Sequence, residues 1–248
     1  MIVLKSPDEI KRMAESCRIV AEVLDGIKKY ISSGITTIEL DEFAESFIVK
    51  RGAKPAFKGY NGYPASVCTS VNEQVVHGIP SKARLKDGDI ISLDIGVYFK
   101  GFYGDAAITL PVGKINGNAE KLLLATEKAL HLGIEKAVIG NRLSDVSAAI
   151  QDYAESEGFS VVRELVGHGI GRQLHEEPQV PNFGKPGQGP EIKEGMTLAI
   201  EPMVNAGGWE VVLLNDGWTT ITKDRRLSAH FEHTIAVTKD KNIILTKL

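Results

Sequence analysis

The 248-residue sequence is 43% hydrophobic and 25% charged, a balance that suits a soluble globular chain rather than a disordered one. Its 29 Lys and Arg against 32 Asp and Glu exclude the global basic field that recruits nucleic acid, so no nucleic-acid substrate is expected. Two cysteines, Cys17 and Cys68, are too few for a disulfide framework and read as free thiols in a reducing compartment. Asp8, Glu9, Lys11 and Arg12 fall where a secretory leader needs an apolar run, and no stretch approaches the ~18 to 20 apolar residues of a membrane span. A cytoplasmic location without membrane contact is expected.

In chain order, Ser6-Pro7-Asp8-Glu9 carries a helix start: a hydroxyl cap, proline at the first helical position and a glutamate placed to close a capping box. Ile10, Met13, Ala14, Cys17, Ala21, Leu24 and Ile31 recur at helical spacing, so the first helix is expected to continue until Gly34 stops it. A second helix is expected from Thr36, with Glu39 three residues on, to Gly52. A third opens near Asn118, carries Leu122, Leu123, Ala129, Leu130 and Ala137 on its apolar face and ends near Gly140; a shorter fourth reaches Gly158. A strand is expected over 161–166 and a Gly- and Pro-rich surface connection over 180–190. A hairpin is expected across Asn215, Asp216 and Gly217, between the apolar runs 211–214 and 218–221.

The two halves follow one plan. Gly34 to Gly52 and Gly140 to Gly158 are both intervals of 18 residues, and Leu40, Phe43, Ala44, Phe47 and Ile48 align with Val146, Ala149, Ile150, Tyr153 and Ala154 at an offset of 106. Lys86-Asp87-Gly88-Asp89-Ile90-Ile91-Ser92-Leu93-Asp94 then parallels Lys193-Glu194-Gly195-Met196-Thr197-Leu198-Ala199-Ile200-Glu201 at an offset of 107, and each copy ends in a carboxylate. A second pair, Asp105 and Glu232, opens an apolar strand in each half, with about 20 additional residues between Glu201 and Glu232. An internal repeat over about 6–113 and 118–248, without an independent domain boundary, accounts for this pattern. Helix, helix, then strands in each half gives an α+β class with two related halves around one sheet.

Strand alternation puts Asp94 on the face of Ile90, Ser92 and Gly96, and Glu201 on the face of Thr197, Ala199 and Met203. Singly, each acid reads as an ordinary strand-end residue. Four acids in two repeat-related pairs do not, because burying converging carboxylates is costly unless cations compensate them. Two divalent ions would balance four negative charges. His168, between Gly167 and Gly169 at the end of the 161–166 strand, is the best candidate for a fifth ligand, since flanking glycines let the backbone bend and expose the ring. No Gly-x-Gly-x-x-Gly after a strand, His-Glu-x-x-His, Gly-x-Ser-x-Gly or phosphate-binding loop occurs. The oxygen-rich set suits two divalent ions such as Co, Mn, Fe(II) or Zn and gives cysteine no ligand role.

Further motifs surround these ligands: Gly59-Tyr60-Asn61-Gly62-Tyr63-Pro64, Asn72-Glu73, His77-Gly78-Ile79-Pro80, His175-Glu176-Glu177-Pro178, Glu201-Pro202-Met203 and Glu232-His233-Thr234. With the order Asp94, Asp105, His168, Glu201, Glu232, they resemble the type I methionine aminopeptidase family along the whole chain. The resemblance implies the pita-bread fold, two pseudo-symmetric halves around a curved antiparallel sheet. It implies a monomeric enzyme that removes the initiator Met from nascent chains with a free, deformylated N-terminus, preferably before a small second residue, with transient ribosome contact. It further implies that Asp94 chelates one ion, Asp105 and Glu232 bridge both, and His168 with Glu201 completes the second site. A water shared by the ions becomes the nucleophile, and Glu201 accepts its proton. His175 would steady the oxyanion and His77 would contact the substrate amide.

Phe57, Tyr60, Tyr63, Cys68 and Trp218 are the expected walls of the methionine pocket, since a thioether is best held by aromatic and polarizable groups. Here the chain departs from some relatives, with Phe57 where they have cysteine and Leu174 where they have an aromatic. His131, His230 and His233 are assigned structural or surface positions, His233 facing away from Glu232. Prolidase-like enzymes and noncatalytic proteins on the same scaffold are the competing classes. The former usually carry an extra N-terminal domain, and the latter lose ligands.

Overall fold

A computed structural model describes all residues from Met1 to Leu248. Helix α1 (Pro7–Lys28) starts as the sequence specifies: Glu9 N donates to Ser6 Oγ at 3.3 Å and Ser6 N donates to Glu9 Oε2 at 2.9 Å, satisfying two otherwise unpaired donors. It stops at Lys28, short of Gly34, and Ile31 lies outside it. The reason is a competing long-range pairing, in which Gly34 N donates to Leu85 O and Leu85 N to Ile35 O, both at 2.8 Å, drawing the chain out of the helix. Helix α2 (Thr37–Lys50) repeats the capping box with Thr36 and Glu39. In the second half, α3 (Gly117–Lys136) is capped by Asn116, whose side chain accepts from Ala119 N at 2.9 Å. Helix α4 (Leu143–Ser156) follows, and Gly158, at φ 86°, turns the chain beyond it.

All strand pairing is antiparallel and falls into four sheets. The first half is dominated by a hairpin, β1 (Ile90–Phe99) with β2 (Phe102–Pro111), closed by Lys100 and Gly101 at φ 47° and 90°. Its inner counterpart in the second half is β3 (Thr197–Ile200) paired with β4 (His233–Val237). Ile91, Leu93, Ile95 and Val97 face α1 and α2 in one apolar cluster, and Leu198, Ile200, Ile235 and Val237 face α3 and α4 in another. These side chains are almost wholly buried, each contributing ~1.5–3 kcal/mol by leaving water. With the helices covering that face of both halves, the opposite face is left to the carboxylates.

The halves are pseudo-symmetric and join along β2. Glu232 N donates to Ala107 O at 2.9 Å, while Thr234 Oγ1 donates to Asp105 O at 2.7 Å and accepts from Asp105 N at 3.2 Å. The expected hairpin forms between Val211–Leu213 and Thr220–Thr222; the latter also pairs with Gln74–Val76, seating the hairpin on the first half. The expected strand over 161–166 is two separate pieces. Ser160–Val161 pairs with Met203–Asn205, the chain then leaves the ladder, and the Arg163 guanidinium sits 5.5 Å from the Phe183 ring and 4.9 Å from that of Trp209. His168 belongs to the second piece, Gly167–Gly169. No helix is long and apolar enough to cross a membrane.

Candidate metal centre

Register places the first carboxylate pair. Asp94 lies opposite Ala107 and Asp105 opposite Gly96, so the two acids are diagonal neighbours on one face of the hairpin with small residues across from each. The second pair is set by β3 and β4: Ile200 lies opposite His233, and continuing that register by one residue sets Glu201 against Glu232. His168 lies opposite Ala199 on the other side of β3. Ligand atoms of Asp105, His168 and Glu232 all lie within 4.8 Å of one another, and His168 Nε2 is 3.5 Å from Glu201 Oε1. The five residues expected from the sequence come from five separate strand segments, and the fold brings all five to the wall of one cavity.

The glycines beside His168 act differently from the bend expected of them. Neither has a positive φ. A Cβ at Gly167 would lie 2.4 Å from Ala199 O, and one at Gly169 would lie 2.3 Å from Glu177 O, so close backbone approach on both sides excludes any side chain. His168 Nδ1 lies 2.9 Å from Gly169 O, which makes Nδ1–H the donor and leaves the Nε2 lone pair toward the carboxylates.

Electrostatics set this cluster apart from a structural ion-pair network. Burial pushes the Asp94 carboxyl up to about 7, and burial followed by the neighbouring carboxylates pushes Asp105, Glu201 and Glu232 well above the usual range. Burial, then His175, lowers His168 to about 3, favouring the neutral ring that ligates metals. Asp94 Oδ1, Asp105 Oδ1 and Glu232 Oε1 are buried without a hydrogen-bond partner. Each such atom costs ~1–3 kcal/mol, and no Lys or Arg pairs with these acids. Orphaned anionic oxygens converging beside a neutral imidazole fit divalent cations.

The cluster lines a cavity of about 920 Å³ that every expected site residue shares: Phe57, Tyr60, Tyr63, Cys68, His77, His175 and Trp218 beside the four acids and His168. Tyr63 stands edge-on to Trp218 with ring centroids 5.1 Å apart, and its hydroxyl donates to Gly78 O at 2.9 Å. Phe57 packs over Gly96, where a Cβ would come within 2.5 Å of its ring; this is why β1 carries glycine beside Asp94. His77 holds φ 59°, a left-handed conformation costly for a non-glycine residue and characteristic of positions whose side chain must be aimed. Tyr60 Oη lies 2.8 Å from His175 Nδ1, and the His175 ring meets His168 edge-on at 4.3 Å between centroids.

The model of metallopeptidase family M24 matches residues 11–239. The chain belongs to this family. Methionine aminopeptidase of Clostridium perfringens is 55% identical over 246 residues, covering 99% of both chains, and methionine aminopeptidase 1 of Bacillus subtilis is 55% identical over the full length of both. The crystal structure of methionine aminopeptidase from Thermotoga maritima superposes with a TM-score of 0.98 at 47% identity, each chain covered completely. The prolidase of Pyrococcus horikoshii shares the fold, with a TM-score of 0.81 at 24% identity and 64% of its length covered. The protein is thus a metal-dependent peptidase with the pita-bread fold.

Two features of the enzyme's site escaped the sequence reading. His230, assigned a structural or surface position, is 1% exposed and lies with Nε2 3.7 Å from Glu201 Oε2. Alternation carried the signal, since His230 stands two residues before Glu232 and so shares its face, whereas Phe231 between them joins the core. The buried Lys5–Glu176 ion pair was also missed; it ties the N-terminal segment to the residue after His175, with Lys5 Nζ donating to Val3 O at 3.1 Å as well. His233 faces away from the cluster as expected, its Nδ1 2.8 Å from Thr246 Oγ1.

Proposed function

We propose that this enzyme is a type I methionine aminopeptidase that releases Met from nascent polypeptides with a free, deformylated N-terminus, preferably when the second residue is small. The observation that carries the reading is the meeting of four carboxylates, Asp105 and Glu232 buried and Asp94 and Glu201 partly so, with one neutral histidine in a cavity walled by Phe57, Tyr63, Cys68 and Trp218. Asp94, Asp105, His168, Glu201 and Glu232 would hold two divalent ions, with Co, Mn, Fe(II) and Zn matching the oxygen-rich donor set. When bound, such a pair supplies an acidified water as nucleophile and polarises the scissile carbonyl.

The chain's own groups supply the rest. Glu201 accepts a proton and passes it to the leaving amine, a role its place beside His168 at the ligand cluster suits. His175, held through Nδ1 by Tyr60, presents Nε2 toward the substrate carbonyl, and His77 contacts the amide. Phe57, Tyr60, Tyr63, Cys68 and Trp218 grip the thioether side chain and exclude water. We read 1–248 as one catalytic unit of two repeated halves, working as a cytoplasmic monomer with transient ribosome contact.

Peptide turnover tests this reading. Met-Ala-Ser should lose Met with added Mn or Co and not in the presence of a chelator, while X-Pro peptides should remain intact. Activity confined to X-Pro peptides would select a prolidase-like enzyme, and no turnover under any metal would select a noncatalytic role.

A further inference from the structure

His230 is a buried side chain beside Glu201 to which the proposed reaction gives no task. Both of its ring nitrogens lack a hydrogen-bond partner although the residue is 1% exposed. Its backbone is pinned: His230 N donates to Thr109 Oγ1 at 2.9 Å, and the same hydroxyl donates to His230 O at 2.8 Å, tying this residue of the second half to β2 of the first. The backbone from which the ring projects is therefore held by the join between the halves. Leaving two buried nitrogens unpaired costs ~1–3 kcal/mol each, which an apolar residue in the same place would avoid.

The neighbour is informative. Glu201 stands between two imidazoles, with Oε1 3.5 Å from His168 Nε2 and Oε2 3.7 Å from His230 Nε2. His168 Nδ1 is committed to Gly169 O, so His168 Nε2 and Glu201 Oε1 are the pair that would hold a cation. That leaves Oε2 as the oxygen free to handle a proton, and His230 faces it. A separation of 3.7 Å is ~0.8 Å beyond an ordinary N–H···O bond, a gap that a small rotation of the Glu201 side chain closes.

We infer that His230 is a positioning residue for Glu201. Its Nε2–H donates to Oε2, holding the carboxylate with one oxygen toward the cation and the other toward the reacting groups. This rests on the proposed two-ion aminopeptidase reading and adds to it an outer hydrogen bond of the kind whose loss costs ~10–100-fold in metal affinity or activity.

The test compares His230→Gln, which keeps an N–H donor, with His230→Met, which has similar length and none. Turnover of Met-Ala-Ser by the wild type checks the underlying reading separately. For His230→Met, the inference expects a kcat drop of ~10–100-fold at nearly unchanged KM and a comparable weakening of Mn binding by calorimetry. His230→Gln should recover both to within ~3-fold of wild type, which a packing role would not produce. Wild-type kcat and Mn affinity in His230→Met would overturn the inference, as would equal losses in both variants at equal folded content by circular dichroism. If His230→Met does not fold, nitrogen-15 spectra of the wild type decide: His230 should show a protonated Nε2 whose shift moves when Zn is added, and an unprotonated or unmoved Nε2 overturns it.

Discussion

Asp105→Asn and Glu232→Gln should each lower kcat/KM for Met-Ala-Ser by on the order of 10³-fold or more, with little loss of folded stability. The two acids are the seam of the molecule: Asp105 is fixed at both backbone atoms by Thr234 Oγ1, and Glu232 N donates to Ala107 O. The backbone bonds survive the substitutions, because only side-chain oxygens are exchanged. An amide turns a donor toward the cations in place of an anionic oxygen, and several kcal/mol of charge stabilisation is lost, at about 1.36 kcal/mol per tenfold in rate.

Without metal the effect on folding runs the other way. Burial, then Glu232, raises the proton affinity of Asp105, and burial, then Glu201 and Asp94, raises that of Glu232, so removing one charge relieves the cluster. Kinetics at saturating Mn together with thermal unfolding in chelator separate the two effects. Full activity in either variant, or inactivity that simply tracks unfolding, contradicts the ligand assignment.

Removing the metal should also make stability fall as pH rises from 7 to 8. Asp94 is pushed up to about 7, and Asp105, Glu201 and Glu232 lie well above the carboxylate range, so the folded metal-free protein keeps protons that the unfolded chain has already released. With more protons bound in the folded state, ΔG of unfolding decreases with pH: the contribution is complete at low pH and is lost as pH rises through the folded values. The depressed histidines, His168 and His230 at about 3, act in the opposite direction but below their unfolded value near 6.5, outside this window. Each retained proton contributes ~1.4 kcal/mol per pH unit, or ~3–5 °C in Tm for a chain of this size. Melting curves with chelator and with Mn at pH 7, 7.5 and 8 should diverge, the Mn curve staying nearly flat. Parallel curves would mean that the carboxylates are not the metal site.

What was legible in the sequence was whatever is local or repeated. Ser6 with Glu9 and Thr36 with Glu39 announce helix starts because a capping box lies within four residues, and the structure forms both. Asp94 and Glu201 are legible as partners because equivalent nine-residue segments of the two halves, 86–94 and 193–201, close on an acid at an offset of 107. Helix ends were less legible: α1 stops at Lys28 because Gly34 and Ile35 pair with Leu85, about 50 residues away. Gly167 and Gly169 read in the sequence as a bend, whereas the carbonyls that exclude a Cβ there belong to Ala199 and Glu177 on other strands. The opposition of Glu201 and Glu232 depends on the register of β3 with β4 across the inserted hairpin, which no spacing reveals. His230 was overlooked because its partner, Glu201, lies on another strand and its own strand is only three residues long.

The most direct test of the central claim is anomalous diffraction from crystals grown with Mn. Two peaks ~3.5–4 Å apart, bounded by Asp94, Asp105, His168, Glu201 and Glu232, are the predicted result. No peak there, or peaks bound by other residues, would contradict it.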